Sequence, residues 1–192
     1  MILPVPRSLT KPTMPLRLLP CTSQDDWHYT VMPSPIGALM LVGSRADGEE
    51  RLHRVSFESG SRAFEADPAW THTREALPEV RAQIDAYFAG TRTTFDLDLY
   101  PPATEFQAAV LGVLATIPFG ETRSYGEVAR TIGRPSASRA VGAANGANPI
   151  PLILPCHRVI GSGGDLTGFG GGLDRKRFLL AHEASQSDLF PS

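Results

Sequence analysis

The dipeptide Pro101–Pro102 divides the chain into two halves of different character. Consecutive prolines lack backbone N–H groups and hold the preceding residue extended, so neither a helix nor a central strand runs through them. Before them, "WHYTVMPSPIGALMLVGS" reads as two strands around a turn at Ser34–Gly37, and "RLHRVSFES" alternates as a third. "EALPEVRAQIDAYFAGT" places Val80, Ile84, Tyr87 and Phe88 at helical spacing, closed by Gly90, and "TTFDLDLYPP" returns to strand character. Residues 26–102 are therefore expected to form an α+β unit with a small antiparallel sheet.

After the prolines the period changes to that of helices. Thr104 can cap a helix with Phe106, Val110, Leu111 and Leu114 on one face, stopped by Pro118 and Gly120. "SYGEVARTIG" begins at Ser124 and ends at Gly133; "SASRAVGAANGANP" follows the turn "RPSA"; "LDRKRFLLAHEA" is a last helix. Residues 103–184 are expected to be a mostly helical, winged-helix-like unit, with a tail at 185–192. The proline-rich residues 1–25 read as a disordered or loosely docked extension.

Bulk properties narrow the class. The net charge is −2, yet residues 1–103 carry 10 Lys/Arg against 13 Asp/Glu, and residues 104–184 carry 8 against 6. The second half is the better partner for an anion. Two cysteines, Cys21 and Cys156, make no disulfide framework. No apolar run approaches the ~18 residues of a membrane span. The expectation is a cytoplasmic protein without membrane contact.

Two short helices around "GRPSA" fit a helix-turn-helix. The second places Arg139, Gly142, Ala143 and Gly146 on one face, beside Ala140, and that face has almost no side chain. A helix reading the major groove presents Asn, Gln, Arg and Lys to base edges. This face admits two other readings: close packing on a neighbouring helix, or close approach to a minor groove. Arg139 at its edge has the reach to fill the gap left by a base taken out of the stack.

The segment "NPIPLILPCHRVIGSGG" places Cys156 beside His157 and Arg158, between a proline and a glycine-rich loop. Nearby cations and a histidine base turn a thiol into a nucleophile. Adjacent side chains on a regular element point apart, so the pair can cooperate only where the backbone turns, or through a water. A third group should orient the histidine. Glu183 and His182 are the candidates, and spacing does not choose between them. There is no CxxC pair, no cluster with zinc spacing, no P-loop, and "GFGGGL" is not GxGxxG. No metal and no cofactor are expected.

Together, "SYGEVA" at 124–129, "SRAVGAANGANP" at 138–149, "PCHRVIG" at 155–161 and "GFGGGLDRKRFLLAHE" at 168–183 closely resemble the O6-alkylguanine-DNA alkyltransferases. The N-terminal half matches more loosely, chiefly through "SPIG" at 34–37. The resemblance implies base flipping and one irreversible transfer of an alkyl group from O6 of guanine to Cys156. It implies His157 as base, Glu183 as the carboxylate holding it, and Asn148 as a brace for the turn. Tyr125 would help rotate the nucleotide and Arg139 would fill the stack. Ala140, Gly142, Ala143 and Ser162 would meet DNA. Pro151, the Val159 carbonyl, Phe169, the Gly170 N–H and Gly171 would line the base pocket, with Lys176 near the loop. The implied partner is double-stranded DNA, held by a monomer through the minor groove with little sequence preference; O4-alkylthymine is a further conceivable substrate. Phe169 replaces a common tyrosine and Leu111 a common aromatic. Zinc, which some relatives bind, is not carried over, since Cys21 is the only cysteine in that half.

Overall fold

The computed structural model describes residues 16–19, 26–60 and 63–186. Strands β1 (Arg17–Leu18), β2 (His28–Met32), β3 (Leu39–Ala46), β4 (Glu49–Phe57), β5 (Thr71–His72) and β6 (Asp98–Leu99) form one sheet in the order β1-β6-β4-β3-β2-β5. β2, β3 and β4 pair antiparallel around tight turns. The sheet is not wholly antiparallel as expected, because the short strands β1, β5 and β6 each arrive by a long connection and pair parallel. β1 also corrects the reading of the leader. Arg17 and Leu18 pair with Asp98 and Leu99, so this piece of the extension is an edge strand. Residues 1–15 and Cys21 lie outside the described residues.

Both faces of β3 are covered, which accounts for the unbroken buried run Leu39–Gly43. Met40 and Val42 join Trp27 in a small cluster on one face. Leu39 and Leu41 join a large core on the other, beneath α1 (Pro78–Phe88). Helix α1 turns Val80, Gln83, Ile84 and Tyr87 inward. Buried Gln83 exchanges two hydrogen bonds with the Asp96 backbone, at 2.9 and 3.0 Å, and so fixes the approach to β6.

The second half runs α2 (Glu105–Leu114), β7 (Arg123–Ser124), α3 (Tyr125–Thr131), α4 (Ser138–Gly146), a 3-10 turn (Cys156–Arg158), β8 (Val159–Ile160) and α5 (Leu173–Ala184). Thr104 with Gln107, and Ser124 with Glu127, form reciprocal capping boxes that fix where α2 and α3 begin. Helix α2 ends at Leu114, four residues before Pro118, with Ala115 as its C-cap and the Thr116 hydroxyl turned back onto the Val113 carbonyl at 2.8 Å. β7 pairs parallel with β8, which ties the start of α3 to the segment after Cys156. The helix-turn-helix and the α+β unit share one contiguous apolar core, from Ile36 and Leu52 through Leu111 to Leu179. Leu111 is fully part of it. No helix among the described residues is long and apolar enough to cross a membrane.

Candidate active site

Asn148, just past α4, builds the turn that presents the cysteine. Its Oδ1 accepts from the Ile150 N–H at 3.0 Å and its Nδ2 donates to the Leu154 carbonyl at 2.7 Å. Residues 149–154 are wound around one side chain, with Leu152 in the left-handed region at φ 77°. That conformation is costly for a leucine, about 1–3 kcal/mol, and persists where the surroundings over-determine it. Pro155 then adopts φ −79°, ψ 64°, and the Cys156 N–H donates back to the Leu154 carbonyl at 2.7 Å. This is an inverse γ-turn, and it leads into the 3-10 turn that carries Cys156, His157 and Arg158. The backbone thus turns at the cysteine, which is what cooperation with His157 requires. Asn145 adds a second tie, donating from Nδ2 to the Cys156 carbonyl at 3.2 Å.

Behind the turn, Glu183 on α5 is buried and fully engaged. Its Oε1 accepts from His157 Nε2 at 2.9 Å, from Arg158 at 2.8 Å and from the Tyr87 hydroxyl at 2.7 Å. Its Oε2 accepts from Arg158 Nε at 2.9 Å and from the Gly120 N–H at 3.0 Å. Burial alone would raise the proton affinity of this carboxyl. The hydrogen bonds from His157 and Arg158, with the permanent charge of Arg158, hold it well below the usual carboxylate range. An ionised carboxylate only accepts, so His157 carries its proton on Nε2 and leaves Nδ1 as a lone-pair nitrogen. Nδ1 is buried and has no hydrogen-bond partner among the described residues. Burial, then the nearby charges of Arg158 and Lys176, depress the histidine below 6.5 against the pull of Glu183. The imidazole is therefore a neutral base at physiological pH. His182, the competing third member, instead contacts the Tyr87 carbonyl at 3.0 Å.

The far wall is the glycine-rich loop. Lys176, buried on α5, donates to the carbonyls of Val159 at 2.6 Å and Thr167 at 2.8 Å. Burial lowers its proton affinity, while negative charge on Cys156 would raise it; the same attraction favours a thiolate. Tyr125 at the start of α3 reaches across to the Thr167 carbonyl at 3.1 Å. Arg175 anchors the loop to the first half, donating to the carbonyls of Gly171 (2.8 Å), Ile36 (2.6 Å) and Ser59 (3.0 Å). Phe169 lies against Phe57 with ring centroids 5.6 Å apart. A Cβ on Gly171 would stand 2.6 Å from the Phe57 ring, so only glycine fits. The loop carrying Ser162 closes on itself through Gly161 N–H to the Asp165 carbonyl at 2.8 Å. The loop is thus tied at several points.

A cleft of about 720 Å³ joins Cys156 to Asn148, Pro151 and Gly170, and extends to Asn145 and Phe57. Of the other residues expected at the base pocket, Phe169 and Gly171 neighbour Gly170 in the chain, and neither they nor Tyr125 and Val159 line this cleft. On the outside of α4, Arg139, Ala140 and Ala143 are exposed. A Cβ at Gly146 would meet nothing within 4 Å, and one at Gly142 only the Tyr125 ring at 3.8 Å. Packing on a neighbouring helix does not explain this bare face.

Tyr87, Asn145 and Arg175 are residues of this site that sequence reasoning did not assign, and Arg158, read there as a charge beside the thiol, instead pairs with Glu183. Asn145 alone leaves a legible trace, because it repeats Asn148 at a spacing of three in "ANGAN". The others act across 25 to 139 residues.

A helix-turn-helix unit joined to a buried Cys156, whose neighbour His157 is held by Glu183, fits the class of DNA-binding proteins that carry a cysteine beside a carboxylate-held histidine. The family models are more specific. The DNA-binding domain of 6-O-methylguanine DNA methyltransferase matches residues 105–185, and its ribonuclease-like domain matches residues 27–101. A methylated-DNA–protein-cysteine methyltransferase of Methanosarcina acetivorans is 49% identical over 158 residues, 82% of this chain and 99% of that one. The protein of the same name from Mycolicibacterium paratuberculosis is 49% identical over 161 residues, 83% and 94% of the two chains. The crystal structure of the Mycobacterium tuberculosis O6-methylguanine methyltransferase matches with a TM-score of 0.75 at 48% identity, covering 83% of this chain and 94% of that one. A complex of the M. tuberculosis OGT with DNA matches over the same shares with a TM-score of 0.75 at 48% identity. The chain belongs to the 6-O-methylguanine DNA methyltransferase family.

Proposed function

We propose that this protein repairs O6-alkylguanine in double-stranded DNA by moving the alkyl group irreversibly onto Sγ of Cys156. The observation that carries this reading is His157, held by Glu183 and set beside Cys156 on a turn reached from a cleft that adjoins the bare face of α4. Helix α4 enters the minor groove, where Ala140, Gly142 and Ala143 let the backbone approach closely and read little sequence. Arg139 fills the stack as the damaged base turns out, assisted by Tyr125. The base then enters the cleft between Pro151 and the wall formed by Phe169, Gly170 and Gly171. Ser162 contacts the DNA backbone, and the Val159 carbonyl faces the guanine amino group.

The chemistry is a displacement at saturated carbon. The thiol proton passes to His157 Nδ1, directly or through a water, and Glu183 stabilises the resulting imidazolium without taking the proton itself. The thiolate, with Lys176 nearby, attacks the alkyl carbon in line with the bond to O6. The S–C bond forms and the C–O6 bond breaks. Its electron pair stays with the base, which takes up a proton and leaves as guanine, with the Gly170 N–H facing O6. The thioether product has no second thiol to release it, so each molecule acts once. It acts as a cytoplasmic monomer.

The direct test mixes the protein with duplex DNA containing O6-methylguanine and follows it by intact and peptide mass spectrometry. The expected result is a gain of one CH₂ on the Cys156 peptide, capped at one per chain. Cys156→Ala should bind the same duplex and gain nothing. A bound lesion with unmodified Cys156 would make the protein a lesion sensor instead.

A further inference from the structure

Among the described residues, one side chain from the first half of the chain bonds to Glu183. Tyr87, at the end of α1, is 0% exposed, and its hydroxyl donates to Oε1 at 2.7 Å. That is the same oxygen that accepts from His157 Nε2 at 2.9 Å. The Tyr87 ring is caged by Phe88, Phe95 and Phe119, with centroids 5.2 to 6.0 Å away. A phenylalanine would fill that cage equally well, so packing gives no reason for the hydroxyl. Burying one costs about 1–3 kcal/mol unless it is bonded, and its bond is to the carboxylate of the relay.

Resting on the alkyl-transfer reading, we infer that Tyr87 is a positioning residue for the Cys156 chemistry. By sharing Oε1 of Glu183, it sets how strongly that carboxylate draws on the imidazole, and hence how basic Nδ1 is. An oxygen that already accepts from a phenol and from Arg158 pulls less on Nε2–H. Without the phenol, Glu183 holds the imidazolium more tightly, and His157 keeps a proton to higher pH, where it cannot act as the base. The other groups facing this pair are fixed in charge or remote. Arg158 on the turn and Lys176 on α5 oppose the imidazolium, as the depressed histidine reflects. The Gly120 N–H adds a neutral donor on the other oxygen. His182 lies tilted against the Tyr87 ring, with centroids 5.2 Å apart, and Cys156 itself adjoins His157 in the chain. The first half of the chain thus contributes a group to the reaction, in addition to its packing.

The test is the single-turnover rate of methyl transfer from an O6-methylguanine duplex, followed from about pH 5 to 9, with the dissociation constant measured alongside. Tyr87→Phe should move the rising limb upward by about 0.5–1 pH unit, with lesion affinity unchanged within about twofold. A purely structural role would lower stability and leave the limb in place. A second variant keeps the shape intact: 3-fluorotyrosine placed at position 87 is a stronger donor and should move the limb downward. A limb unmoved by the fluorinated side chain overturns the inference, whether or not Tyr87→Phe folds. Wild-type protein that transfers no methyl at any pH would overturn the transfer reading, and this inference with it.

Discussion

The outer face of α4 and the turn carrying Cys156 are neighbours in sequence and opposite in construction. Along the face, Ala140 and Ala143 are exposed, and a side chain added at Gly146 would touch nothing. Along the turn, every residue from Ile150 to Val159 is buried, and the side chains of Asn145, Asn148, Glu183 and Lys176 bond to it. A surface with no internal role is free to be shaped by what it binds. A buried, cross-bonded turn is shaped by the reaction it must hold still. Binding and chemistry should therefore respond to different substitutions.

The largest effect that sharpens this contrast is expected at Glu183. Glu183→Gln keeps the volume but leaves the Arg158 guanidinium buried without its counter-charge, at a cost of about 3–5 kcal/mol. Thermal unfolding should show the loss, and transfer in the surviving folded fraction should slow by about 10²-fold or more as His157 loses its anchor. Unchanged stability would mean that the network is not what holds the turn.

Acid should act on the turn and spare the face. His157 is depressed below its unfolded value of 6.5 by burial. Its stabilising contribution is fully present above that value and is lost as pH falls through the folded one. Glu183, held well below 4.5, adds a second loss as pH falls beneath that value. Urea midpoints measured at fixed ionic strength should fall from neutral pH downward, with a limiting slope of about 1.4 kcal/mol per pH unit for each group. A flat profile between pH 7 and 5 would count against a neutral buried His157.

The smallest effect on the fold is expected on the face. Ala143→Leu should change stability by no more than about 0.5 kcal/mol. It should nonetheless weaken binding to duplex DNA by about tenfold or more, since one leucine stands between backbone and groove. Equal losses of stability and binding would break the distinction drawn here.

The elements with local period were legible in the sequence: β2 to β4, α1, and the capped starts of α2 and α3 all follow from spacing and capping residues. β1 was not, because a two-residue strand has no period and exists only through Asp98 and Leu99. The cysteine, its histidine and the bare face could be read from adjacent residues. The choice of Glu183 over His182 needed the family resemblance. Arg158 reads locally as a charge beside a thiol, whereas its guanidinium faces Glu183 and the Ile117 carbonyl. Tyr87 reads as one apolar position of a helix face, since nothing in its neighbourhood signals a carboxylate 96 residues away. Long-range polar pairs leave no periodic trace, and those pairs complete this site.

Glu183, on α5, collects its bonds from α1, from the loop after α2 and from the cysteine turn. The base beside Cys156 is consequently complete only when both halves of the chain have closed. A nascent or partly opened chain carries an ordinary, sluggish thiol. A reagent that can be used only once is thereby kept from reacting with stray electrophiles until it is able to hold its target.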